Sequence, residues 1–313
     1  MIRWLRQSLQ ACLNTAFGCC LLLGGFAPEL AAAEVVIVDS NKHSESFALA
    51  QAVSRHCPQC GTIQYMDMQR DIAVGRLVIA DLKAREEKGN LDLVIALGPM
   101  ATRITAQDLQ RTPVFYLMRE RPTRDLPGTD RVKALTANPP AGLQLAAFKA
   151  LVPGMRRIGL LLRRSTAAPV YDELVAAAAD LGVGLSFFYV DRPEDVSPGL
   201  RQAIGETDGL LFLRDSMVIN GDTIRFILRL TLENRVPTFT YSSDLVAMGM
   251  GASLHVDREK LARYIGAVVD ARLSGKQSPP DPTQPFVVEV NPAALGDKLL
   301  PVTHILGMEV IKR

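Results

Sequence analysis

Apolar segments of strand length alternate with amphipathic segments of helix length from residue 35 to residue 117. Val35–Asp39 is a run of apolar, mostly β-branched residues, which is typical of a strand buried on both faces of a parallel sheet. Strands are predicted at residues 35–39, 62–66, 91–97 and 113–117, and helices at 44–55, 72–88 and 99–109. This βαβαβαβ order predicts a parallel sheet with right-handed crossovers.

The alternation resumes after residues 119–140, a proline-rich and charged segment that we interpret as a connection between two lobes. Helices are predicted at residues 141–151, 170–181, 196–205, 223–234, 260–274 and 292–298, and strands at 157–162, 184–190, 209–213, 236–240 and 286–290. Residues 277–285 form a second proline-rich linker. We therefore predict a first lobe of residues 34–118 and about 243–284, and a second of about 141–242 and 285–313.

The first 33 residues have the pattern of a secretory signal peptide. Arg3 and Arg6 precede an apolar segment at 9–26, and Ala31–Ala33 supply small residues at the expected cleavage position. An uncleaved membrane anchor is the alternative. No later segment reaches ~18 consecutive apolar residues, so a soluble periplasmic protein that begins at Glu34 is predicted.

Cys57 and Cys60 are the two cysteines that remain after this cleavage. In an oxidising compartment they can close a small disulfide; inert thiols and a redox or metal site are the alternatives. The pair follows a predicted helix and precedes a strand, and a helix C-terminus disfavours a thiolate. This position favours the structural disulfide.

Composition and motifs exclude several other functions. The net charge is +2 without a basic block, and aromatic residues make up 6%, so nothing indicates nucleic-acid binding. No G-x-G-x-x-G, Walker or G-x-S-x-G motif occurs, and the four histidines have no zinc-ligand spacing. We predict no catalytic residues, no metal and no cofactor.

The segment 236–257 indicates where a ligand would bind. A short strand leads into the polar turn Tyr241-Ser242-Ser243-Asp244, and Gly249 and Gly251 follow. Open α/β sheets present ligand-binding groups at such strand ends. We predict that this turn lines a cleft between the lobes, that the chain returns to the first lobe there, and that the backbone near Ser243 bends on closure.

Several loose motifs, taken in order, resemble a family of ABC-transporter substrate-binding proteins with the type I periplasmic-binding fold. The motifs are the signal peptide, Asp39-Ser40, residues 95–102 (IALGPMAT), residues 237–242 (PTFTYS) with Gly249, residues 273–276 (LSGK) and Val290-Asn291. The family includes proteins proposed to bind aromatic amino acids. The resemblance implies two Rossmann-like lobes with parallel sheets and a ligand held between them.

The resemblance also implies a set of ligand-binding residues at strand ends. These are Ser40, Lys42, His43, Pro99, Met100 and Thr102 in the first lobe, and Ser165, Thr166, Asp215, Ser216, Tyr241 and Ser242 in the second. Asp215 would pair with a ligand ammonium group, and Tyr241 would pack on an apolar part. The chain departs from the family pattern at Met100 and at Arg163-Arg164. Arg163, Arg164 and Asp215 add charge near the expected cleft, which leaves room for a more acidic ligand or for no transported ligand at all.

The leading functional hypothesis is a monomeric periplasmic protein that captures an amino-acid-like compound or an organic acid and delivers it to an ABC permease. A ligand-sensing module that partners a membrane receptor or histidine kinase is the alternative. A redox protein built on Cys57 and Cys60 is the third hypothesis. None of the three involves nucleic acid.

Overall fold

The computed structural model describes residues 33–41, 44–61, 63–117, 126, 130–135, 138–275 and 285–313. Residues 34–313 form one compact unit. The predicted signal peptide up to residue 32, the predicted ligand residues Lys42 and His43, and most of the 277–285 linker lie outside the described residues. In the part of the chain that is described, no helix is both long and apolar enough to cross a membrane.

The first sheet has five parallel strands in the order β2-β1-β3-β4-β5. The strands are β1 Val35–Asp39, β2 Gln64–Asp67, β3 Leu93–Leu97, β4 Val114–Leu117 and β5 Val132–Ala134. The helices between them are α1 Ser44–Arg55, α2 Ile72–Lys88 and α3 Pro99–Asp108. The predicted elements are confirmed, but β5 was missed within the supposed connection, because its three residues include Lys133 and lie in a charged segment without a longer apolar run.

The second sheet has eight strands in the order β12-β13-β11-β10-β9-β8-β6-β7. The strands are β6 Arg157–Leu162, β7 Gly184–Tyr189, β8 Gly209–Leu211, β9 Thr238–Thr240, β10 Ala252–Val256, β11 Phe286–Val290, β12 His304–Ile305 and β13 Met308–Lys312. The helices are α4 Ala141–Leu151, α5 Arg164–Ala167, α6 Tyr171–Leu181, α7 Val196–Glu206, α8 Ile224–Glu233, α9 Ser243–Ala247, α10 Arg258–Leu273 and α11 Pro292–Leu295, and 3₁₀ turns cover Pro193–Asp195 and Gly296–Lys298.

The second sheet is parallel only in part. Strands β6 to β10 run parallel, whereas β11 pairs antiparallel with β10 and β12 pairs antiparallel with β13. The prediction of a parallel sheet therefore holds for the five strands β6 to β10. The hairpin of β12 and β13 adds an edge that the sequence pattern did not reveal.

The sequence analysis predicted that the chain returns to the first lobe near residue 243, and this prediction is wrong. Ser243 begins helix α9, and β10 then joins the second sheet beside β9 and β11. A Cβ on Gly251 would lie 2.7 Å from the Thr238 carbonyl oxygen, so this glycine permits close packing rather than bending. The return comes at Asp257, whose N–H donates to the Pro285 carbonyl at 2.9 Å.

Helix α10 then packs on the first sheet. Its residues Leu261, Ile265 and Val269 share one hydrophobic core with strands β1 and β3. The two faces of the second sheet carry separate cores, and Phe148 of α4 meets Phe239 of β9 with ring centroids 5.3 Å apart. Each sheet thus has its own core.

Cys57 and Cys60 form a disulfide directly after the C-terminal end of α1. The adjacent His56 Nε2 lies 2.8 Å from Glu259 Oε1 of α10. Helix α10 approaches so closely that a Cβ on Gly266 would lie 2.6 Å from the His56 carbonyl oxygen. The disulfide therefore lies where α1 meets α10.

Candidate functional site

Strand order fixes where each sheet presents ligand-binding groups. The order β2-β1-β3-β4-β5 reverses between β1 and β3, and β7-β6-β8-β9-β10 reverses between β6 and β8. In open α/β sheets, ligands bind beyond the carboxyl ends of the strands at such reversals. The predicted strand-end residues follow β1, β3, β6, β8 and β9, so they lie at the expected edge of each sheet.

At the first reversal, the hydroxyl of Ser40 is committed to the fold. It donates to the Leu97 carbonyl and accepts from the Ala101 N–H, both at 2.9 Å. A Cβ on Gly98 (φ +83°) would lie 2.9 Å from the same hydroxyl oxygen, so the contact requires glycine there. Ser40 is a brace between β1 and α3.

Thr102 and the first turn of α3 are also satisfied within the lobe. Thr102 is buried, and its hydroxyl and N–H both bond to the Gly98 carbonyl, at 2.7 and 3.1 Å. Pro99 has no N–H, and the Ala101 N–H donates to the Ser40 hydroxyl. In this first turn, the N–H of Met100 is therefore the one without an acceptor among the described residues. The predicted ligand roles of Ser40, Pro99, Met100 and Thr102 stay predictions.

At the second reversal, Asp215 organises the loops that follow β6 and β8. Its carboxylate accepts from the Arg163 N–H and Nε at 2.9 Å each, from the Thr166 hydroxyl at 2.7 Å and from the Met217 N–H at 2.9 Å. The residue is 1% exposed. Asp215 therefore holds two loops together, and its acceptor positions are occupied by the protein rather than kept for a ligand ammonium.

The electrostatics of Asp215 agree with this role. Burial alone would raise its pKa, but the hydrogen bonds from Arg163, Thr166 and Met217 and the charge of Arg163 outweigh burial and hold the pKa below its usual range. The carboxylate is thus charged at neutral pH and matched by the protein's own donors.

A cavity of about 180 Å³ opens beside this network, at the ends of β8 and β9. Its lining residues come from the end of the connection, α4, the β6 and β8 loops and the β9 end: Asn138, Pro139, Ala141, Gln144, Thr166, Val170, Leu213, Arg214 and Tyr241. Ligand pockets typically measure ~300–1,000 Å³, so this cavity has the size expected of half a site.

Gln144 is the most informative residue of the cavity. It lies in the first turns of α4 and is 6% exposed, and its Nε2 donates to the Pro139 carbonyl at 3.0 Å. Its Oε1 is buried without a hydrogen-bond partner among the described residues. A buried acceptor without a hydrogen bond lowers stability by ~1–3 kcal/mol, so a donor from a bound ligand is expected to pair with it.

Arg214 and Tyr241 form the charged wall of the cavity. The guanidinium carbon of Arg214 lies 4.4 Å from the centroid of the Tyr241 ring. Burial raises the pKa of the Tyr241 hydroxyl, which Arg214 opposes and Asp215 reinforces. Tyr241 is therefore a neutral, half-buried aromatic surface with a cation stacked on it.

The other predicted residues of the second lobe are divided between exposed and capping positions. Ser165 and Ser216 are exposed. Ser242 caps helix α9, where its hydroxyl accepts from the Asp244 N–H at 3.3 Å. Of the ten predicted ligand residues that the structure describes, Thr166 and Tyr241 line this cavity. Their ligand roles, like those of Ser165, Ser216 and Ser242, stay predictions.

The sequence analysis missed Gln144 and Arg214, although the sequence holds a signal for each. Gln144 is the one polar residue on the buried face of helix α4, where a polar side chain is unusual unless it has hydrogen-bond partners. Arg214 stands between a buried strand and Asp215, at a strand end.

A larger depression of about 400 Å³ lies at the opposite, amino-terminal edge of the first sheet, lined in part by Glu86, Arg111 and Arg272. There the Glu86 carboxylate accepts from the N–H groups of residues 110, 111 and 112. We prefer the smaller cavity as the functional site, because it lies at the carboxyl ends of the strands and contains an unsatisfied buried acceptor.

Comparison with known proteins assigns the fold. The family model described as "ABC transporter substrate binding protein" matches residues 63–294, well over half of the chain. No curated protein matches the chain significantly. The ligand-free, open structure of a substrate binding protein with adhesive properties from Clostridium difficile is similar with a TM-score of 0.67 and 17% identity, over 90% of this chain and 99% of that chain.

Two further structures share the architecture. A conserved domain protein from Vibrio cholerae matches with a TM-score of 0.50 and 16% identity, over 90% of this chain and all of that chain. A sugar ABC transporter protein from Actinomyces odontolyticus matches with a TM-score of 0.51 and 11% identity, over 79% and 85%. At these identities the likeness establishes the fold, which is the two-lobed type I periplasmic-binding fold. The chain belongs to the family of ABC transporter substrate binding proteins, whose members bind solutes and are not enzymes.

Proposed function

We propose that the protein captures a small organic ligand, amino-acid-like or an organic acid, between its two lobes and delivers it to an ABC permease. The observation that carries the proposal is the cavity at the ends of β8 and β9, where the buried Gln144 Oε1 has no donor among the described residues and Arg214 is stacked on Tyr241. Closure of the first lobe over this half-site completes the ligand's enclosure.

The predicted secretion is part of the same proposal. A signal peptide cleaved before Glu34 delivers a monomer to the periplasm, where a permease in the inner membrane is accessible to it. A gene neighbourhood with a permease and an ATPase supports delivery. A neighbouring histidine kinase without a permease supports the sensing alternative instead.

Thermal melting of the purified protein with separate sets of organic acids, amino acids, sugars and nucleobases tests ligand capture. At a concentration 100-fold above its Kd, a ligand that binds only the folded state raises the free energy of unfolding by about 2.7 kcal/mol. We expect one chemical class to raise the Tm. If no class does so, and native mass spectrometry finds no co-purified small molecule, the proposed function is wrong.

A further inference from the structure

The cavity beside Asp215 carries one charge, and that charge is positive. Among its described lining residues only Arg214 is charged, and none is acidic. No carboxylate in the described parts of the chain pairs with the Arg214 guanidinium, whose central carbon lies 4.4 Å from the centroid of the Tyr241 ring. A guanidinium without a carboxylate partner in the protein is suited to bind a carboxylate on a ligand, with two parallel hydrogen bonds.

The neighbouring arginines differ from Arg214 in this respect. Arg163 Nε donates to Asp215 Oδ1 at 2.9 Å, and Arg164 Nε lies 3.3 Å from Asp191 Oδ2. Each of these cations already has a carboxylate partner within the protein. A ligand carboxylate at this edge would therefore pair with Arg214.

A ligand ammonium group has no corresponding partner in the cavity. The nearby carboxylate of Asp215 already accepts four hydrogen bonds from the protein and is 1% exposed. An ammonium group would lose water without gaining an opposite charge, and it would lie near the cation of Arg214.

The cavity also contains an uncharged group, the Gln144 amide oxygen, that needs a hydrogen-bond donor. This oxygen can only accept hydrogen bonds, and it has no partner among the described residues. Leu213 and Val170 contribute apolar lining to the same cavity. A hydroxyl group on the ligand would satisfy this oxygen without adding a charge.

We propose that the cavity takes a hydroxy carboxylate rather than a zwitterionic amino acid. The carboxylate pairs with Arg214, the hydroxyl donates to Gln144 Oε1, and the apolar part lies against Tyr241 and Leu213. This assignment rests on the proposed function and narrows its ligand class to organic acids.

Titration calorimetry with isosteric probe pairs tests the assignment. The pairs are lactate with L-alanine, 2-hydroxy-4-methylpentanoate with L-leucine, and 3-phenyllactate with L-phenylalanine, each differing in a hydroxyl or an ammonium group. We expect the preferred hydroxy acid to bind at least tenfold more tightly than its amino acid. Arg214→Gln should weaken that binding at least tenfold. Arg201→Gln is the matched control and should leave it unchanged, because Arg201 also lies over an aromatic ring, Phe226, but outside the cavity.

Three results would overturn the assignment, and they separate it from the proposed function. If the amino acids bind as tightly as the hydroxy acids, or if only a sugar or nucleobase binds, the ligand class is wrong while ligand capture stands. If Arg214→Gln leaves hydroxy-acid binding intact, the placement of the carboxylate is wrong. If no compound of any class binds the wild-type protein, the proposed function fails as well.

Discussion

Two buried polar side chains at the edge of the second sheet differ in their hydrogen bonding. Asp215 accepts from four protein donors, whereas Gln144 Oε1 has none among the described residues. A satisfied carboxylate stabilises the loops around it, and an unsatisfied amide oxygen is available to a ligand. The two residues should therefore respond differently to substitution.

Asp215→Asn should lower the free energy of unfolding by about 2–3 kcal/mol, because the buried charge is lost and the NH2 group that replaces one oxygen would face two hydrogen-bond donors. Urea denaturation measures the change. Asp222→Asn is the matched control, since Asp222 is exposed and should change stability by less than about 0.5 kcal/mol. Equal effects of the two substitutions would contradict the bracing role of Asp215.

Gln144→Leu should leave the free energy of unfolding within about 1 kcal/mol of wild type, because it removes an unsatisfied acceptor along with the bond to Pro139. It should weaken ligand binding by about 1–3 kcal/mol, the loss expected for one buried hydrogen bond to the ligand. Calorimetry with the compound that raises the Tm most measures this. Unchanged affinity in a stably folded variant would remove Gln144 from the site.

Residue types at strand ends were predictable from the sequence, but their partners were not. Asp215 was expected to pair with a ligand because the family resemblance implied a ligand-binding role for this strand-end residue. Its four donors come from the β6 and β8 loops, on both sides of the sheet reversal, and their convergence depends on strand order. Gln144 lies some 70 residues earlier, so only the folded chain reveals that it shares a cavity with Arg214.

At the scale of elements, close helix packing and one capping carboxylate hold the first lobe together. Helix α10 crosses α1 at Gly266, and Glu86 of α2 accepts from the N–H groups of residues 110, 111 and 112 after α3. Both contacts join elements that are distant in sequence. Each can be tested by one substitution.

Gly266→Ala should destabilise the protein by about 1–3 kcal/mol, because the new Cβ would lie 2.6 Å from a backbone oxygen that cannot move without shifting α1. Gly205→Ala, in helix α7, is the control: no atom lies within 4 Å of its Cβ position, so alanine should stabilise by about 0.5–1 kcal/mol. Thermal melting distinguishes the two, and a neutral Gly266→Ala would show that α10 can move away from α1.

Glu86 should make stability depend on pH in the acid range. Burial opposes its ionisation, but the hydrogen bonds from residues 110–112 outweigh burial and lower the pKa to about 2. Because the unfolded state holds the proton more tightly, this stabilisation is complete above the ordinary value of about 4.5 and is lost as pH falls toward about 2. Wild type should therefore lose stability more steeply than Glu86→Gln over that range; parallel curves would contradict the capping role.

The strands that the sequence predicted are those that lie within an apolar run of about five residues. The buried runs β1, β3 and β6 were found, and so were the three-residue strands β8 and β9, which lie inside longer apolar runs. Strand β5 and the hairpin of β12 and β13 contain or adjoin charged residues, and they were not found. Strand β10 was missed for another reason: the segment after Tyr241 was interpreted as the return of the chain to the first lobe, although Gly251 packs against β9.

At the scale of the molecule, the same supersecondary order appears twice, and the chain passes between the two sheets near Asp257 and Pro285. The N–H of Asp257 donates to the Pro285 carbonyl, so two passages are joined by a hydrogen bond. Lys260 of α10 and Glu309 of β13 add an ion pair at 2.8 Å beside them. We expect lobe closure to rotate about these passages rather than about Ser243.

Secretion gives a second prediction at this scale. When the full chain is expressed in a bacterium with a periplasm, the protein recovered from the periplasmic fraction should have the intact mass of a chain that begins at Glu34. A full-length mass in the membrane fraction would instead support an uncleaved anchor.

The central claim is that the cavity between Gln144, Arg214 and Tyr241 holds the ligand. A crystal structure with the compound that raises the Tm most tests it directly. We expect electron density for that compound in contact with the Arg214 guanidinium and the Gln144 amide, with the first lobe closed over it. Density only elsewhere, for example in the depression beside Arg111 and Arg272, would contradict it.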